Sequence, residues 1–257
     1  MMKFTQIRNA TVIVEFGGKR FLVDPMLSAK GAFPAFAGTP NGEQANPTVE
    51  LPWPVADIVD VDAVIVTHTH TDHWDDAAKA ALPKHLPLFA QHEQDAAAIR
   101  AAGFGDVRVL ADKAVFEGVT LTKTGGEHGS GRVLQDFGSR LGEVSGVVFH
   151  HPRERTLYLA GDTVWNSHVA AALRAHHPDV VVVNCGDARF IGYEPIIMGK
   201  DDVLALHRAA PSALIIASHM EAVNHATLSR QALRDFAQAE GLLDQLRIPQ
   251  DGESYVL

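Results

Sequence analysis

Four side chains of types that bind metal ions occur within six residues of this chain, at the boundary between two regular elements. The apolar stretch Asp62 to Val66 predicts a buried strand, and the alanine-rich stretch Asp75 to Leu82 predicts a helix. Between them lies the run His68-Thr69-His70-Thr71-Asp72-His73. Because side chains two residues apart point the same way in an extended chain, the first, third and fifth members of the run can converge, while the sixth turns to an adjacent position. The run therefore predicts ligands for two neighbouring metal ions.

The ligand types in this run narrow the choice of metal only in part. Neutral imidazole and carboxylate groups are accepted by zinc, manganese and iron, so zinc is expected first and the other two stay open. The alternative interpretation is a solvated polar turn, which would require the run to arise by chance. The chain has 14 histidines, and several stand beside Asp, Glu or Gly. These favour a search for further ligands elsewhere in the sequence.

Strand-like and helix-like segments alternate along the rest of the chain. Thr11 to Phe16 and Lys19 to Asp24, joined by Gly17-Gly18, predict a hairpin, and Glu93 to Ala102 predicts a helix. Further predicted strands are Pro87 to Ala90, Val107 to Leu110, Gly118 to Thr124, Val144 to Phe149, Leu157 to Ala160, Asp179 to Val183 and Ala213 to Ala217. Two comparable halves of this kind favour an α/β fold of two packed mixed β-sheets flanked by helices, an αββα sandwich, in a single domain over residues 1–257.

Composition and charge exclude several classes of protein. The chain has 257 residues, 46% of them hydrophobic, which is enough for a sizeable core, and no apolar run approaches the roughly 20 residues that span a bilayer. A formal charge of −9 without a Lys/Arg cluster argues against a nucleic-acid partner or an anionic membrane. The single cysteine, Cys185, cannot form an internal disulfide. A cytoplasmic protein with a small-molecule substrate is expected, and a homo-oligomer is left open.

Residues 28–56 carry repeated Pro, Gly and Asn, with Phe33, Phe36 and Trp53 between them, and predict a long loop. A loop of this length in a compact domain is commonly functional. Its aromatic residues favour packing over a cavity, and whether it acts as a lid or as a wall is left open.

Further candidate ligands follow at glycines or at strand ends. His128 follows Gly125-Gly126-Glu127, Asp162 stands in Ala160-Gly161-Asp162-Thr163, and His219 follows Ala217-Ser218. This ordered series of His-x-His-x-Asp-His, His, Gly-Asp-Thr and His resembles the metallo-β-lactamase fold superfamily over nearly the whole chain. The stretches Ile7 to Val14, Phe21 to Pro25 and Ile197 to Asp202 look like its ascorbate-6-phosphate lactonase-like branch.

This resemblance implies a ligand assignment and a chemistry. It implies that His68, His70 and His128 bind one divalent ion, that Asp72, His73 and His219 bind a second ion, and that Asp162 bridges both. The true lactamases with a cysteine ligand carry that cysteine where this chain has Asp162, so penicillin hydrolysis is not expected. A metal-bridging hydroxide would attack a small ester, lactone or phosphoester. A phosphodiesterase acting on nucleotides or RNA is the alternative, followed by a non-catalytic metal-binding protein.

Two residues are predicted to act in catalysis beside the metal ions. Asp72 could orient the attacking water and shuttle its proton, and His225, six residues after His219, could overhang the pocket and donate to the substrate. An exposed surface histidine is the alternative for His225.

Several other polar residues are assigned more loosely. Asp24 and Asp187 are candidates to hold the second nitrogen of a ligand histidine. Cys185 follows a buried strand and could face the cleft, although a small packed residue is the stronger interpretation. Arg132, Arg140 and Arg189 are expected in glycine-containing loops, where a guanidinium could bind an anionic substrate group, although a solvated charge is the stronger interpretation for each alone.

Overall fold

The computed structural model describes residues 1–257. Its strands are β1 (Lys3–Arg8), β2 (Thr11–Phe16), β3 (Lys19–Val23), β4 (Ala63–Val66), β5 (Leu88–Ala90), β6 (Val107–Val109), β7 (Lys113–Phe116), β8 (Val119–Gly125), β9 (Ser145–His150), β10 (Leu157–Leu159), β11 (Val180–Asn184), β12 (Leu214–Ser218), β13 (Leu246–Arg247) and β14 (Ser254–Val256). Its helices are α1 (Val55–Ile58), α2 (Asp76–Ala81), α3 (Glu93–Ala101), α4 (Gly131–Leu141), α5 (Ser167–His176), α6 (Lys200–Ala209) and α7 (Arg230–Glu240). No helix combines the length and the apolar character needed to cross a membrane.

The strands form two mixed sheets of seven strands each. The first sheet has the order β14-β1-β2-β3-β4-β5-β6, and the second has the order β13-β12-β11-β10-β9-β8-β7. In the first sheet the strands from β3 to β6 are parallel, and in the second sheet the strands from β10 to β13 are parallel. The remaining neighbours pair antiparallel. The predicted αββα sandwich is confirmed.

Aromatic side chains fill the layer between the two sheets. Phe21 of β3 lies 5.4 Å from Phe149 of β9 and 5.7 Å from Phe116 of β7, measured between ring centroids, with edge-on geometry in both pairs. Each such pair contributes about 0.5–1.5 kcal/mol beyond the burial of its surface. The outer faces of the sheets are covered by helices, as where Ile99 of α3 packs with Val64 and Leu88. Parallel strands buried on both faces explain the continuous apolar runs in the sequence.

The parallel strands bring the polar segments together at one edge of the sandwich. Because β10, β11 and β12 are parallel neighbours, the residues that follow them emerge side by side: Asp162 after β10, Asn184 at the end of β11 and His219 after β12. His68 follows β4, a parallel strand of the other sheet. Residues far apart in sequence therefore meet at this edge.

Asn224, in the segment that follows β12, is one of the residues that bind the long loop of residues 28–56. Asn224 donates from Nδ2 to Thr39 Oγ1 at 2.8 Å and accepts at Oδ1 from the backbone N–H of Phe36 at 3.1 Å. Asn46 donates to the same Oδ1 at 2.9 Å. These side-chain bonds, to a residue that is itself 1% exposed, hold the loop as a wall of the site.

One predicted loop is wrong. Residues 130–142, expected to be irregular because of their glycines, form α4, so Arg132 and Arg140 lie on a helix. The sequence Val133-Leu134-Gln135-Asp136-Phe137 with Leu141 places apolar side chains on one helical face, and these pack against Phe190 and Ile196. This tertiary contact outweighs the low helix propensity of the glycines in the segment.

Candidate metal centre

The turn after β4 places its first two histidines beside a third histidine from a distant loop. Nε2 of His68 lies 3.0 Å from Nδ1 of His70, and one ligand nitrogen from each of His68, His70 and His128 falls within 4.8 Å of the others. We call these three residues the outer cluster. His68 and His128 are buried, whereas His70 is half-buried.

The other two residues of the turn point to a second, deeper group. Asp72, His73 and His219 also bring ligand atoms within 4.8 Å of one another, and we call them the inner cluster. Nε2 of His219 lies 3.3 Å from Oδ2 of Asp72. All three side chains are 5% exposed or less.

Asp162 stands between the two clusters and reaches both with one oxygen. Its Oδ2 lies 3.1 Å from Nε2 of His73 and 3.7 Å from Nε2 of both His219 and His128. The same oxygen lies 3.9 Å from Nε2 of His68. The preceding Gly161 has φ +72°, and an added Cβ would collide with the carbonyl oxygen of Ser145, which explains the glycine in the sequence. All seven predicted ligands are thus brought together.

Asp24 holds the deepest histidine in place. Nδ1 of the fully buried His73 donates to Oδ2 of Asp24 at 2.9 Å, so its Nε2 is directed at Asp162. Asp24 also accepts from the backbone N–H and the hydroxyl of Thr67, each at 2.7 Å. Such a partner orients a ligand histidine and raises its basicity. The predicted positioning role of Asp24 agrees with these contacts, but Asp187 pairs with Arg189 instead, and its predicted role as a partner of a ligand histidine is wrong.

Several other groups that hold the candidate ligands were not identified from the sequence. Asn184 donates from Nδ2 to Oδ1 of Asp162 at 2.7 Å, and its strand-end position was the one available signal. His128 donates from Nδ1 to the carbonyl of Ile196 at 2.8 Å, and His70 donates from Nε2 to the carbonyl of Arg140 at 3.1 Å. Backbone carbonyls leave no mark on a sequence, so these last two partners could not have been found there.

A cavity of about 330 Å³ opens over the two clusters. Its floor includes His70, Asp72, His128 and Asp162, and its apolar walls come from the side chains Phe36, Leu141, Phe190 and Ile196. It is large enough for a small organic molecule. Arg140 also lines it, whereas Arg132 lies over the ring of Tyr193 at 4.3 Å.

His225 lies in the wall of this cavity, as its predicted role requires. It is 7% exposed, and its ring meets that of Phe36 edge-on at 4.8 Å. Its Nδ1 has no hydrogen-bond partner within the protein. The alternative of an exposed surface histidine is therefore wrong. Cys185 does not face the cavity, because it is fully buried in the core under α5 to α7.

Comparison with known proteins identifies the superfamily of the chain. A family model described as Beta-lactamase superfamily domain matches residues 19–220. The chain belongs to the β-lactamase superfamily. The predicted superfamily is confirmed, and the lactonase-like branch stays a prediction.

Three relatives of this superfamily member match nearly its whole length. The UPF0173 protein YddR of Bacillus subtilis is 49% identical over 255 residues, which is 99% of each chain. The isothiocyanate hydrolase from Delia radicum gut bacteria is 49% identical, with a TM-score of 0.97 over 100% of this chain and 99% of that one. A possible metal-dependent hydrolase from Veillonella parvula is 41% identical, with a TM-score of 0.98 over 100% of both chains. The protein is a metal-dependent hydrolase of this family.

The carboxylates and imidazoles of the β-lactamase superfamily site shift one another's pKa values. Burial lowers the pKa of His73, but Asp162 and Asp24 outweigh it, and the pKa is held well above its usual value. Burial raises the pKa of Asp162, but His73 and His219 outweigh it, and the pKa lies well below its usual value. In the metal-free chain the imidazolium of His73 therefore faces the carboxylates of Asp24, Asp72 and Asp162.

The outer cluster has the opposite character. Burial, reinforced by His73 and His70, holds the pKa of His68 well below its usual value, and burial lowers the pKa of His128 to about 4. These rings are neutral at neutral pH, which is the form that binds a metal.

The donor set fits the metal ions that the family name implies. Five imidazoles and two carboxylates, with no sulfur, suit zinc, manganese or iron. Two buried carboxylates need a cation, and in the metal-free chain the raised pKa of His73 supplies one.

Proposed function

We propose that this chain is a binuclear hydrolase of small electrophiles, with isothiocyanates as the substrates to test first. His68, His70 and His128 would hold one divalent ion, Asp72, His73 and His219 would hold the other, and Asp162 stands between the two groups. The observation that carries this proposal is the central position of Asp162 Oδ2, within 3.1–3.9 Å of nitrogens from both clusters. Zinc is the first candidate metal, and manganese and iron satisfy the same donors.

The choice of isothiocyanates rests on the relative of that name, which shares 49% identity over the whole chain. The apolar walls of the cavity suit an uncharged organic substituent. In the reaction, the oxygen of water bonds to the central carbon of R–N=C=S, both protons of that water are transferred to the nitrogen, and the bond between the nitrogen and the central carbon breaks. The products are the amine R–NH₂ and carbonyl sulfide. Esters, lactones and phosphoesters, expected from sequence, are attacked by water in a similar way and form the comparison set.

When bound, the two ions supply an acidified water and a polarised substrate oxygen or sulfur. The protein residues do the rest. Asp72, whose Oδ2 lies 3.3 Å from His219 Nε2, orients the attacking water and carries its proton. Burial lowers the pKa of His225 to about 4, so its ring is neutral at neutral pH and can donate from one nitrogen to the substrate. Phe36 and Phe190 exclude bulk water from the reacting atoms.

Metal analysis together with a substrate panel tests the proposal. Elemental analysis of the wild-type chain should give about two ions per chain, and His70→Ala should lose metal and activity together. The panel contains isothiocyanates, lactones, carboxylic esters and phosphodiesters, with amine release as the readout for the first class. The exposed His85 provides a matched control, since His85→Ala should change neither metal content nor activity. A folded wild-type chain that binds no zinc, manganese or iron would refute the metal centre, and turnover of another substrate class alone would refute the choice of isothiocyanates.

The role of His225 is tested separately. His225→Leu removes this hydrogen-bond donor and should lower kcat by about tenfold, the loss expected for one hydrogen bond to the transition state, while the metal content stays at the wild-type value. A variant that loses metal as well would show that His225 acts on the metal centre rather than on the substrate.

A further inference from the structure

A second cavity reaches the same histidines by a different path. It has a volume of about 550 Å³ and is lined by 11 residues, of which Leu141 is the single hydrophobic one. His68 and His70 of the outer cluster lie in its lining. Thr69, His70 and Leu141 border both cavities, so the end of α4 lies between the second cavity and the first cavity over the two clusters.

The two cavities differ in the charges beside the candidate ligands. The first cavity is lined by the candidate ligands Asp72 and Asp162, and its one charged residue besides the candidate ligands is Arg140. The second cavity contains the carboxylates of Asp95 and Glu143 and no lysine or arginine. Lys123 is close by, but its ammonium group binds the backbone carbonyl of Gln91 at 2.6 Å and does not line the cavity. Apart from the candidate ligands themselves, the charged residues of the second cavity therefore attract a divalent cation, whereas Arg140 at the first cavity opposes its approach.

An unpartnered buried oxygen adds a second, independent observation. Gln91, which lines the second cavity, is 3% exposed, and its Oε1 accepts no hydrogen bond within the protein. Its Nε2 is used in full, donating to Oδ2 of Asp95 at 2.9 Å and to the carbonyl of Glu143 at 2.8 Å. These bonds orient the amide and leave a carbonyl oxygen free, which is a ligand type that divalent cations accept.

We propose that divalent cations reach the metal centre through this second cavity, with His68 and His70 as the first ligands they meet. The first cavity is left to the substrate. The separation keeps the two routes apart, so that a bound substrate does not block the exchange of metal. This inference rests on the metal centre of the proposed function and is independent of which substrate is hydrolysed.

Charge substitutions at Gln94 test the route without touching the candidate ligands. Gln94 is an exposed residue of α3 that lines the second cavity. The full-length chain is stripped with a chelator, and zinc uptake is followed by stopped flow as the loss of signal from a fluorescent zinc indicator. At low ionic strength Gln94→Lys should slow uptake about threefold and Gln94→Glu should accelerate it about threefold, and both effects should fade as salt is added. Glu143→Gln should slow uptake in the same direction.

Matched controls separate the route from a general effect of charge. Gln231→Lys makes the same substitution on the exposed face of α7 and should leave the rate of uptake unchanged. The final zinc content and the kcat of the loaded enzyme should equal those of the wild type in the Gln94 variants, and circular dichroism checks that the stripped chains stay folded.

Three results would overturn the inference. Equal uptake rates in Gln94→Lys, Gln94→Glu and wild type would show that cations do not pass this cavity. Acceleration by Arg140→Gln together with unchanged rates in the Gln94 variants would assign the route to the first cavity. A folded chain that takes up no metal would refute the metal centre and this inference together, whereas bound zinc without isothiocyanate turnover would refute the proposed substrate alone.

Discussion

The inner and outer clusters are made of the same kinds of side chain but are held in different ways. His73 of the inner cluster is fully buried, and its Nδ1 is bound by the carboxylate of Asp24 at the end of β3. His70 of the outer cluster is half-buried, and its Nε2 is bound by a backbone carbonyl at the end of α4. His73 of the inner cluster is thus tied to the first sheet through a charged contact, whereas His70 of the outer cluster is tied to a helix through an uncharged one. Metal binding should accordingly be stronger and more closely coupled to folding at the inner cluster.

The largest expected effect is a difference in the free energy of unfolding between variants of the two clusters. His73→Ala leaves the carboxylates of Asp24 and Asp162 buried without their partner, and should cost about 3–5 kcal/mol of unfolding free energy in the metal-free chain. His70→Ala removes a half-buried ring and should cost about 1 kcal/mol. Urea unfolding of the two stripped variants measures both values. Equal losses would show that the clusters are anchored alike.

A smaller substitution tests the anchor of the inner cluster. Asp24→Asn keeps the size of the side chain but removes the charge beside His73, so the pKa of His73 falls and the affinity for the inner metal should drop by up to about 100-fold. Competition with a chromophoric chelator measures the affinity. Asp187→Asn is the matched control, because that carboxylate pairs with Arg189 and contacts no ligand. An unchanged affinity in Asp24→Asn would show that this carboxylate does not support the metal.

The residue that orients Asp162 should have an intermediate effect on both clusters. Asn184→Leu removes the donor at Oδ1 of Asp162, so that oxygen can turn away and both metals should bind about tenfold more weakly. Asn166→Leu is the control, since Asn166 caps α5 and should cost stability without weakening metal binding. Loss of metal at one cluster only would contradict a bridging role for Asp162.

The smallest predicted effect is a loss of stability at high pH, which tests the burial of Cys185 in the core. Burial raises the pKa of Cys185 to about 12, whereas an unfolded thiol titrates at about 8.5–9. Between these values the unfolded chain loses this proton and the folded chain keeps it, so stability falls as pH rises, by about 1 kcal/mol at pH 9.5. Urea unfolding at pH 7.5 and 9.5 should show this loss in the wild type, and Cys185→Ala should lack it. Reaction of the folded thiol with a disulfide reagent at pH 8 would contradict the burial.

The sequence predicted much of this protein because local patterns carried the information. The apolar run before His68 and the helix after it set the turn that presents His70 and Asp72, and these elements agree with β4 and α2. The prediction was wrong at α4. Its glycines favour a loop, but the segment forms an amphipathic helix whose apolar face is stabilised by Phe190 from a distant loop. The partner of Asp162 was also missed, since a strand-end asparagine has many possible uses.

The sequence by itself determined which atoms are available to a metal and that they lie at strand ends, because ligand types and strand periodicity are local properties. The tertiary structure alone decided which nitrogen or oxygen of each side chain faces the centre. Asp24 reaches Thr67 across 43 residues, and the carbonyl of Ile196 reaches His128 across 68 residues. A buried polar group must be paired, so these distant partners select the orientation of each ligand. The same packing holds His73 of the inner cluster against Asp24 and leaves His70 of the outer cluster half-buried.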